Sequence, residues 1–324
     1  MLFENRFRLL TLLLLVAACN GTATTTVGPT TTTTTVAMTS TTPVPDQAYP
    51  VTVTAANGEV VVATRPDAIV SLSATATEML FAIGAGDQIV AVDSLSNYPP
   101  EAPVTDLAAF TPSAEAVASY SPDLVVISFD ANDLLAGLTE LEIPTLLMPA
   151  AASLEDVWAQ FGALGAATGN VDEAATAVAA IQADLDELVA GTDLGGDALT
   201  YYYELGPTYF SATSSTFIGS LIGRLGLQNI ADPADADGTA FGFPQLTAEF
   251  IIAADPDLIL LADTLCCGQN AAVVGARPGW EAMQAVVGGG VVELNDDIAS
   301  RWGPRIVDLL TQIAGAASEL AAAA

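Results

Sequence analysis

The strongest limit on the fold of this chain is a repeat, in which two pairs of similar segments occur in the same order. "SAEAVASYSPDLVVISFD" begins at Ser113, and "TAEFIIAADPDLILLADT" begins at Thr247. Upstream of these, "SATATEMLFAIGAGDQIVAVD" begins at Ser73, and "SATSSTFIGSLIGRLGLQNIAD" begins at Ser211. Because such self-similarity indicates repeated structural units, we predict two diverged copies of one fold.

Each copy alternates between short apolar runs and segments with helical periodicity. In the first copy we predict strands at "AIVSLS", "QIVAVD", "LVVISF" and "IPTLLMP", and a T-x-x-E capping box at Thr75 and Glu78 that starts a helix. In the second copy we predict strands at "LTYYYEL", "NIA", "LILLAD" and "GVVEL", and helices from about Ser215 and Ala248. This alternation predicts two doubly wound α/β lobes, whose parallel sheets are covered on both faces.

The segment between the two copies, residues 153–192, lacks proline and has apolar residues at helical spacing. Gly162, Gly165 and Gly169 are expected to interrupt its first half, whereas residues 172–190 are expected to form one long helix. Two lobes joined by a helix form a clamshell. Ligands of open α/β sheets bind beyond the carboxyl ends of the strands, so we predict a ligand cleft between the lobes.

The amino-terminal segment predicts export. Arg6 and Arg8 precede the uncharged run Leu9–Ala18, which is too short for a membrane span and is typical of a signal peptide. Val16 to Cys19 resemble the bacterial lipobox, so Cys19 is the predicted lipid anchor; an ordinary signal peptide with a chance cysteine is the alternative. Half of residues 20–45 are threonine, which predicts a disordered tether at the outer face of the cytoplasmic membrane.

These observations predict five regions. They are a lipoprotein signal peptide at 1–18, a lipid-anchored Thr-rich linker at 19–48, an N-terminal α/β lobe at 49–152, a linking helix region at 153–192 and a C-terminal α/β lobe at 193–324.

Composition excludes several functions. The formal net charge is -31, which makes nucleic acid and anionic lipid surfaces poor partners. Histidine is absent, so Ser-His-Asp and Cys-His catalysis are excluded, along with the commonest transition-metal ligand. Lysine is also absent, which excludes a G-x-x-x-x-G-K-[ST] phosphate loop. These absences remove the usual catalytic and metal-binding residues without excluding an enzyme, and we predict no catalytic residues, no metal site and no intrinsic cofactor.

The chain resembles the substrate-binding proteins of ABC importers for ferric siderophores and cobalamin, a group whose lobes are linked by a long helix. The resemblance covers about residues 50–317 and is carried by seven stretches in the family's order: "YPVTVTAANGEVVVATRPDAIVSLSATATEMLFAIGAGDQIVAVD", "NYPPEAP", "SAEAVASYSPDLVVI", "FIGSLIGRLGLQNIA", "LTAEFIIAADPDLILL", "RPGWEAMQAVVGGGVVEL" and "GPRIVDLLTQIA". It implies a class III periplasmic-binding-protein clamshell. It also implies a monomeric receptor that holds a ferric siderophore, haem or cobalamin and delivers it to a dimeric permease with its ATPase.

The resemblance also implies site residues. Glu115 and Glu249 match the glutamates that dock with permease arginines, although each could instead complement its helix dipole. The ligand-binding candidates are Phe110, which lies next to the matching position Ala109, and Phe243, Arg301, Trp302 and Arg305. Leu95 stands where the cobalamin binder has tyrosine. A salt bridge for Arg305 and core packing for Trp302 are the alternatives.

Cys266 and Cys267 follow the predicted strand "LILLAD" and therefore belong at the cleft, which makes them two further ligand-binding candidates. A vicinal disulfide that shapes the site, two free thiols and a soft-metal site are the alternatives. Three other functions also stay open: a receptor for another solute such as an oxyanion, a surface sensor without transport, and an enzyme on the same fold. The enzyme would need Cys or His ligands in both lobes, and the first lobe has neither.

Overall fold

The computed structural model describes residues 48–196 and 198–323, so Cys19 and most of the predicted tether lie outside the described residues. We call residues 49–152 the N-lobe and residues 193–323 the C-lobe. The N-lobe contains β1 (Val51–Ala55), β2 (Gly58–Val62), β3 (Ile69–Leu72), α1 (Ala74–Ala82), β4 (Ile89–Val92), α2 (Ala114–Ala118), β5 (Leu124–Ile127), α3 (Leu134–Glu140) and β6 (Thr145–Leu147).

Two helices follow, α4 (Leu154–Thr168) and α5 (Val171–Gly191). The C-lobe then contains β7 (Thr200–Glu204), α6 (Phe217–Gly223), β8 (Gln228–Asn229), α7 (Ala248–Ala254), β9 (Leu258–Leu261), α8 (Thr264–Cys267), α9 (Ala271–Gly275), α10 (Gln284–Val287), β10 (Val291–Glu293), α11 (Asp296–Ala299) and α12 (Ile306–Ala323).

The two lobes have the same sheet topology, as the repeat predicts. The N-lobe sheet has the order β4-β3-β5-β6, and the C-lobe sheet has the order β8-β7-β9-β10. All of these pairings are parallel. In each lobe the chain passes from the first strand (β3 or β7) to a neighbour on one side (β4 or β8) and then to a neighbour on the opposite side (β5 or β9). The strand order therefore reverses between β3 and β5 and between β7 and β9. Ligands of such sheets bind at this switch point.

Both faces of each sheet are covered, because alternate residues enter different cores. In β5, Leu124 and Val126 belong to the largest core, whereas Val125 and Ile127 face a second core with α2 and α3. In the C-lobe, Tyr202 enters a third core with Trp280, while its neighbours in β7 enter the largest one. The largest core contains residues of both lobes and of α4 and α5. The predicted doubly wound α/β lobes are therefore confirmed.

The linking region differs in detail from the prediction. Gly162 and Gly165 lie within the continuous helix α4, and the chain breaks only at Gly169, whose φ of 80° ends that helix. A Cβ at Gly165 would lie 2.6 Å from the Cβ of Ala174, so this glycine lets α4 and α5 approach closely. The predicted uninterrupted helix at 172–190 is present within α5.

Helix starts in the repeat are capped by hydroxyl side chains. Ser113 and Thr247 are the N-caps of α2 and α7 and accept bonds from backbone N–H groups. The predicted capping box of Thr75 and Glu78 is wrong. Ser73 caps α1 instead, by accepting a bond from the Ala76 N–H, and Glu78 is thereby placed inside the helix.

Two further differences concern the edges of the lobes. The antiparallel hairpin of β1 and β2 was not among the predicted strands. The strand predicted at "NIA" is the two-residue strand β8, which ends at Asn229.

Among the described residues, α12 is the one helix long and apolar enough to cross a membrane. It contacts α5 and α6 and buries Leu310 and Ile313, as a core helix does.

Candidate functional site

A cavity of about 420 Å³ lies at the carboxyl ends of the C-lobe strands and reaches the last residues of the N-lobe. Its lining consists of apolar, aromatic and hydroxyl side chains and one arginine: Ala150, Ala151, Ala152, Tyr203, Leu205, Ser215, Thr216, Phe217, Ile218, Phe241, Phe243, Ala299, Ser300, Arg301 and Trp302. A concave, mainly apolar site with a few polar groups is typical of small-molecule binding. The structure thus brings together three predicted ligand candidates, Phe243, Arg301 and Trp302.

Two exposed phenylalanines on the C-lobe form the aromatic side of this cavity. Phe243 is 49% exposed, and Phe241, which the sequence reasoning missed, is 87% exposed. Leaving a large apolar side chain in water is unfavourable by roughly 1.5–3 kcal/mol relative to burying it. Both rings lie in the cavity wall and are therefore accessible to a ligand.

The N-lobe presents a matching aromatic pair. Phe110 is 67% exposed, and its ring centroid lies 5.2 Å from that of Phe129. Phe129 follows β5 directly, at the switch point of the sheet, and this position after a buried strand could have identified it. Ala109, which falls at the family's aromatic position, packs instead against the core below. Phe110 thus presents an exposed ring but does not line the cavity, and its role in ligand binding stays a prediction.

The two candidate arginines bind a carboxylate of the other lobe. Glu78 of α1 is 2% exposed, and its Oε1 accepts bonds from Arg301 Nη1 at 2.8 Å and from Arg305 Nη2 at 2.5 Å. Arg305 Nε donates to Oε2 at 3.0 Å. Burial lowers the pKa of the Arg305 guanidinium, but the hydrogen bond to Glu78 and the negative charge of Glu78 together outweigh burial, so the pKa is raised. The salt bridge that was the alternative for Arg305 is therefore present.

Further contacts complete this group, which we call the Glu78 cluster (Glu78, Asn97, Asp297, Arg301 and Arg305). Arg301 Nη2 lies 2.9 Å from Asp297 Oδ1 and 3.0 Å from Asn97 Oδ1. Asn97 Nδ2 in turn donates to Asp297 Oδ2 at 2.8 Å. The cluster contains two cations and two carboxylates, so it is electrically neutral and joins the lobes beside the cavity.

Trp302 is half-buried and held in a fixed orientation. Its Nε1 donates to Gln160 Oε1 of α4 at 2.8 Å, while its side chain packs against the largest core. It also lines the cavity. Core packing, the alternative for Trp302, is therefore present, and the contact of this residue with a ligand stays a prediction.

Every arginine in the described ranges has a partner. Arg224 pairs with Asp186 at the surface, and Arg277 pairs with Glu204 inside the C-lobe. Arg65 donates to the Thr168 carbonyl oxygen and precedes β3, at the end of the sheet away from the cavity. Within the described part of the chain, therefore, every arginine that a bound anion could reach already donates to a protein acceptor.

A buried charged group lies beneath the carboxyl ends of β7 and β9. Arg277 forms a two-pronged contact with Glu204, at 2.7 and 2.6 Å, and its guanidinium lies 4.6 Å from the Trp280 ring centroid. Asp263 is fully buried, and neither of its oxygens has a hydrogen-bond partner among the described residues. Burial, followed by the charge of Glu204, raises the pKa of Asp263 to about 7.

Cys266 and Cys267 are exposed free thiols at the end of α8. Of the three alternatives, the structure therefore contains the two free thiols. Neither side chain lines the cavity. The hydrogen bond to Cys267, then burial and Asp296, raise the pKa of Cys266 to about 12. Because the thiolate is the nucleophile and metal ligand, Cys266 is a poor candidate for either role. No cluster of three or more metal-binding side chains occurs within residues 48–196 and 198–323.

Glu115 and Glu249 occupy equivalent positions in the two lobes. Each is exposed and is the second residue of a helix, α2 or α7, that begins at the cleft end of its sheet. The Ser113 hydroxyl donates to Glu115 Oε2 at 2.7 Å, and this bond lowers the pKa of Glu115. Neither carboxylate has an ion-pair partner among the described residues, so both are available to an external cation.

Comparison with known proteins identifies the family. The model of a periplasmic binding protein family matches residues 69–298, which include both sheets and the segments of the repeat. The chain belongs to the periplasmic binding protein family. This is a family of solute-binding proteins, which confirms the predicted recognition, fold class and non-enzymatic binding function.

Relatives within the family have related names. An uncharacterized ABC transporter substrate-binding lipoprotein of Bacillus subtilis is 29% identical over 278 residues, which are 83% of this chain and 85% of the relative. A cobalamin-binding protein of Halobacterium salinarum is 31% identical over 281 residues, which are 83% of this chain and 74% of the relative.

Solved structures share the fold. A periplasmic heme-binding protein from Roseiflexus sp. has a TM-score of 0.67 at 24% identity and covers 79% of this chain and 99% of its own. The vitamin B12 binding protein of Vibrio cholerae has a TM-score of 0.61 at 23% identity, with 78% and 97% covered. At these identities the likeness supports the two-lobed α/β fold and says nothing of the ligand.

Proposed function

We propose that this protein is the extracytoplasmic solute-binding component of an ABC importer and that it captures a cobalamin-type corrinoid between its lobes. The observation that carries the choice of ligand is the cavity itself. It exposes phenylalanine rings, whereas the arginines beside it are already bound to carboxylates.

The charge of the site favours a corrinoid over haem and over the anionic ferric siderophores. Haem carries two propionates, and ferric catecholate siderophores are anionic, so both need cations in the site. Cobalamin carries neutral amide side chains around its ring and has no net negative charge. A neutral Glu78 cluster in a chain with a net charge of -31 suits the corrinoid. An oxyanion is disfavoured by the same argument.

The apolar surfaces support the same ligand class. Phe241 and Phe243 on the C-lobe and Phe110 and Phe129 on the N-lobe expose rings at the carboxyl ends of the two sheets. Each aromatic side chain can bury 150–250 Å², which suits the broad faces of a corrin ring. Cobalamin-binding relatives at 31% identity add support of an independent kind.

Delivery to the permease would use both lobes. Glu115 and Glu249 are two exposed carboxylates at equivalent positions, and a dimeric permease presents two equivalent sets of arginines to them. A lipid on Cys19 and a tether of 20–48 would hold this monomeric receptor at the outer face of the membrane. The lipoprotein relative supports the anchor.

The decisive experiment is a binding panel on the compact unit Asp46–Ala324. Calorimetry and thermal unfolding are measured with cyanocobalamin, haemin and the ferric tris-catecholate complex. Saturation at about 100 times the dissociation constant stabilises a protein by about 2.7 kcal/mol, so we expect a clear rise in melting temperature with cyanocobalamin and none with the anionic complexes. A rise with an anionic complex and none with cyanocobalamin would refute the proposed ligand.

An aromatic substitution with a matched control locates the site. Phe243→Ala is expected to weaken cyanocobalamin binding by roughly tenfold, because 1.4 kcal/mol of lost contact corresponds to that factor. Tyr120→Ala removes another exposed aromatic, which precedes β5 and therefore lies at the opposite end of the N-lobe sheet. This control should leave affinity unchanged, and equal losses in the two variants would place the ligand elsewhere.

A further inference from the structure

We infer that Glu78 determines the charge specificity of this receptor by binding the two arginines beside the ligand cavity and neutralising one of their two charges. The inference rests on the proposed solute-binding function, and it concerns a residue of α1 that does not itself line the cavity. Glu78 acts through Arg301 and Arg305, so it is a positioning residue.

The first step of the argument is where the arginines lie. Arg301 is one of the residues that line the cavity. The Arg305 guanidinium lies 4.1 Å from the ring centroid of Tyr98, an exposed residue of the loop that follows β4. Loops that follow parallel strands form the ligand side of such a sheet. Both cations therefore border the space that a ligand would occupy.

The second step is that Glu78 occupies three hydrogen-bond donors of the two arginines and neutralises one of their two charges. Its two oxygens accept three bonds from the two guanidinium groups, and its side chain has no exposure to solvent. Arg301 also donates to the Leu95 carbonyl oxygen and to Asn97. Guanidinium groups bind carboxylates and phosphates through the same paired donors. Because those donors already have acceptors, an anionic ligand gains little from them.

The third step is that the fold does not require a carboxylate at this position, because the second copy of the repeat has none. The sequence equivalent of Glu78 in the second copy of the repeat is Thr216, which is uncharged and lines the cavity. One carboxylate in one lobe thus separates a neutral cleft from a cationic one. Without it, the same fold would present two arginines to a haem propionate or to a ferric catecholate.

The test removes the charge of Glu78 and measures anion binding. Glu78→Gln is expected to raise affinity for haemin and for the ferric tris-catecholate complex by at least about tenfold, or 1.4 kcal/mol. The gain should shrink at high salt, since released charges are screened. Haemin dimethyl ester, which lacks the propionate charges, should show no gain, and a merely structural role for Glu78 would not distinguish the ester from the acid.

A matched control has the same change in net charge away from the cavity. Asp186 of α5 pairs at the surface with Arg224, which lies at the end of α6. Asp186→Asn frees Arg224 and should leave haemin affinity as in the parent protein. If Asp186→Asn gains as much as Glu78→Gln, net charge rather than Glu78 sets the preference, and the inference is overturned.

A second variant covers the case in which Glu78→Gln does not fold, since removing a buried partner can be strongly destabilising. Asp297 is 35% exposed and is the other carboxylate of the cluster, so Asp297→Asn should fold and give a smaller gain of the same kind. Unchanged haemin affinity in every folded variant would refute the inference. Absence of cyanocobalamin binding by the parent protein would instead refute the proposed ligand and leave this test intact.

Discussion

The two lobes share one strand order but differ in how the first strand leads to its helix. In the N-lobe, β3 ends at Leu72 and α1 begins at Ala74, with Ser73 as the cap between them. In the C-lobe, β7 ends at Glu204, and residues 205–216 intervene before α6. The short connection places Glu78 inside a helix, whereas the long connection contributes Leu205, Ser215 and Thr216 to the cavity wall. The C-lobe therefore forms most of the cavity, and the N-lobe supplies the charge that neutralises its border.

Each lobe also buries one glutamate, and the two glutamates have different partners. Glu78 binds arginines of the opposite lobe, while Glu204 binds Arg277 of its own lobe. A buried ion pair contributes little net stability but is costly to break. The comparison indicates that Glu204 supports the fold of one lobe, whereas Glu78 couples the two lobes and shapes the site between them.

The largest expected effect tests the equivalence of the lobes at their rims. Changing Glu115 and Glu249 together to alanine should lower cobalamin uptake by at least roughly 100-fold, because charged contacts to the permease are lost at both ends. Each single change should have a smaller effect, similar in the two lobes. Uptake of labelled cyanocobalamin by cells measures the effect, and calorimetry should show unchanged affinity.

A double change at two other exposed glutamates, Glu140→Ala with Glu281→Ala, serves as the control for this test. Uptake should match that of the parent protein. Survival of uptake in the Glu115 and Glu249 double variant would show that these residues do not dock the permease. A strong effect of one single variant alone would show that the lobes are not equivalent.

The next effect concerns the fold of the C-lobe. Arg277→Met leaves Glu204 buried without its cation and should lower the free energy of unfolding by about 3–5 kcal/mol, as measured by urea denaturation. Arg224→Met removes an arginine from an exposed pair and should cost less than about 1 kcal/mol. Equal losses in the two variants would contradict the structural role of the buried pair.

The last effect, which is the smallest per unit of change, is a pH dependence that arises from Asp263 of the C-lobe. Burial raises the pKa of Asp263 from 3.8 to about 7, so the folded state keeps a proton that the unfolded state loses between these values. The free energy of unfolding should therefore fall as pH rises through this window, by at most about 1.36 kcal/mol per unit from this group, and its contribution should level off above pH 7.

Asp263→Asn should remove this contribution and stabilise the protein at pH 8, because an amide does not ionise. Asp184→Asn changes an exposed aspartate of α5 and should keep the pH dependence of the parent protein. Urea denaturation at a series of pH values compares the three proteins. An unchanged slope in Asp263→Asn would show that Asp263 is already ionised in the fold.

Much of the architecture could be predicted because its signals are local. The strands of both sheets could be placed from continuous apolar runs and helix-capping hydroxyls. The repeated Pro-Asp-Leu segments placed Glu115 and Glu249 at equivalent positions. Errors arose where a local pattern had a competing explanation. Thr75 and Glu78 match a capping box, but Ser73 begins the helix two residues earlier. Gly165 suggested a helix break, but it permits close packing of α4 against α5.

The sequence by itself determined two α/β lobes, their linking helical region and the cleft end of each sheet, because these follow from apolar periodicity and from the repeat. The tertiary structure alone decided what the cleft presents to a ligand. Arg301 and Arg305 were predicted as ligand contacts, yet both donate to Glu78, more than 220 positions away in the chain. Phe241 lines the cavity and Phe129 exposes a ring beside Phe110 for a similar reason. Exposure and ion pairing depend on which distant segments meet, and no local pattern encodes that.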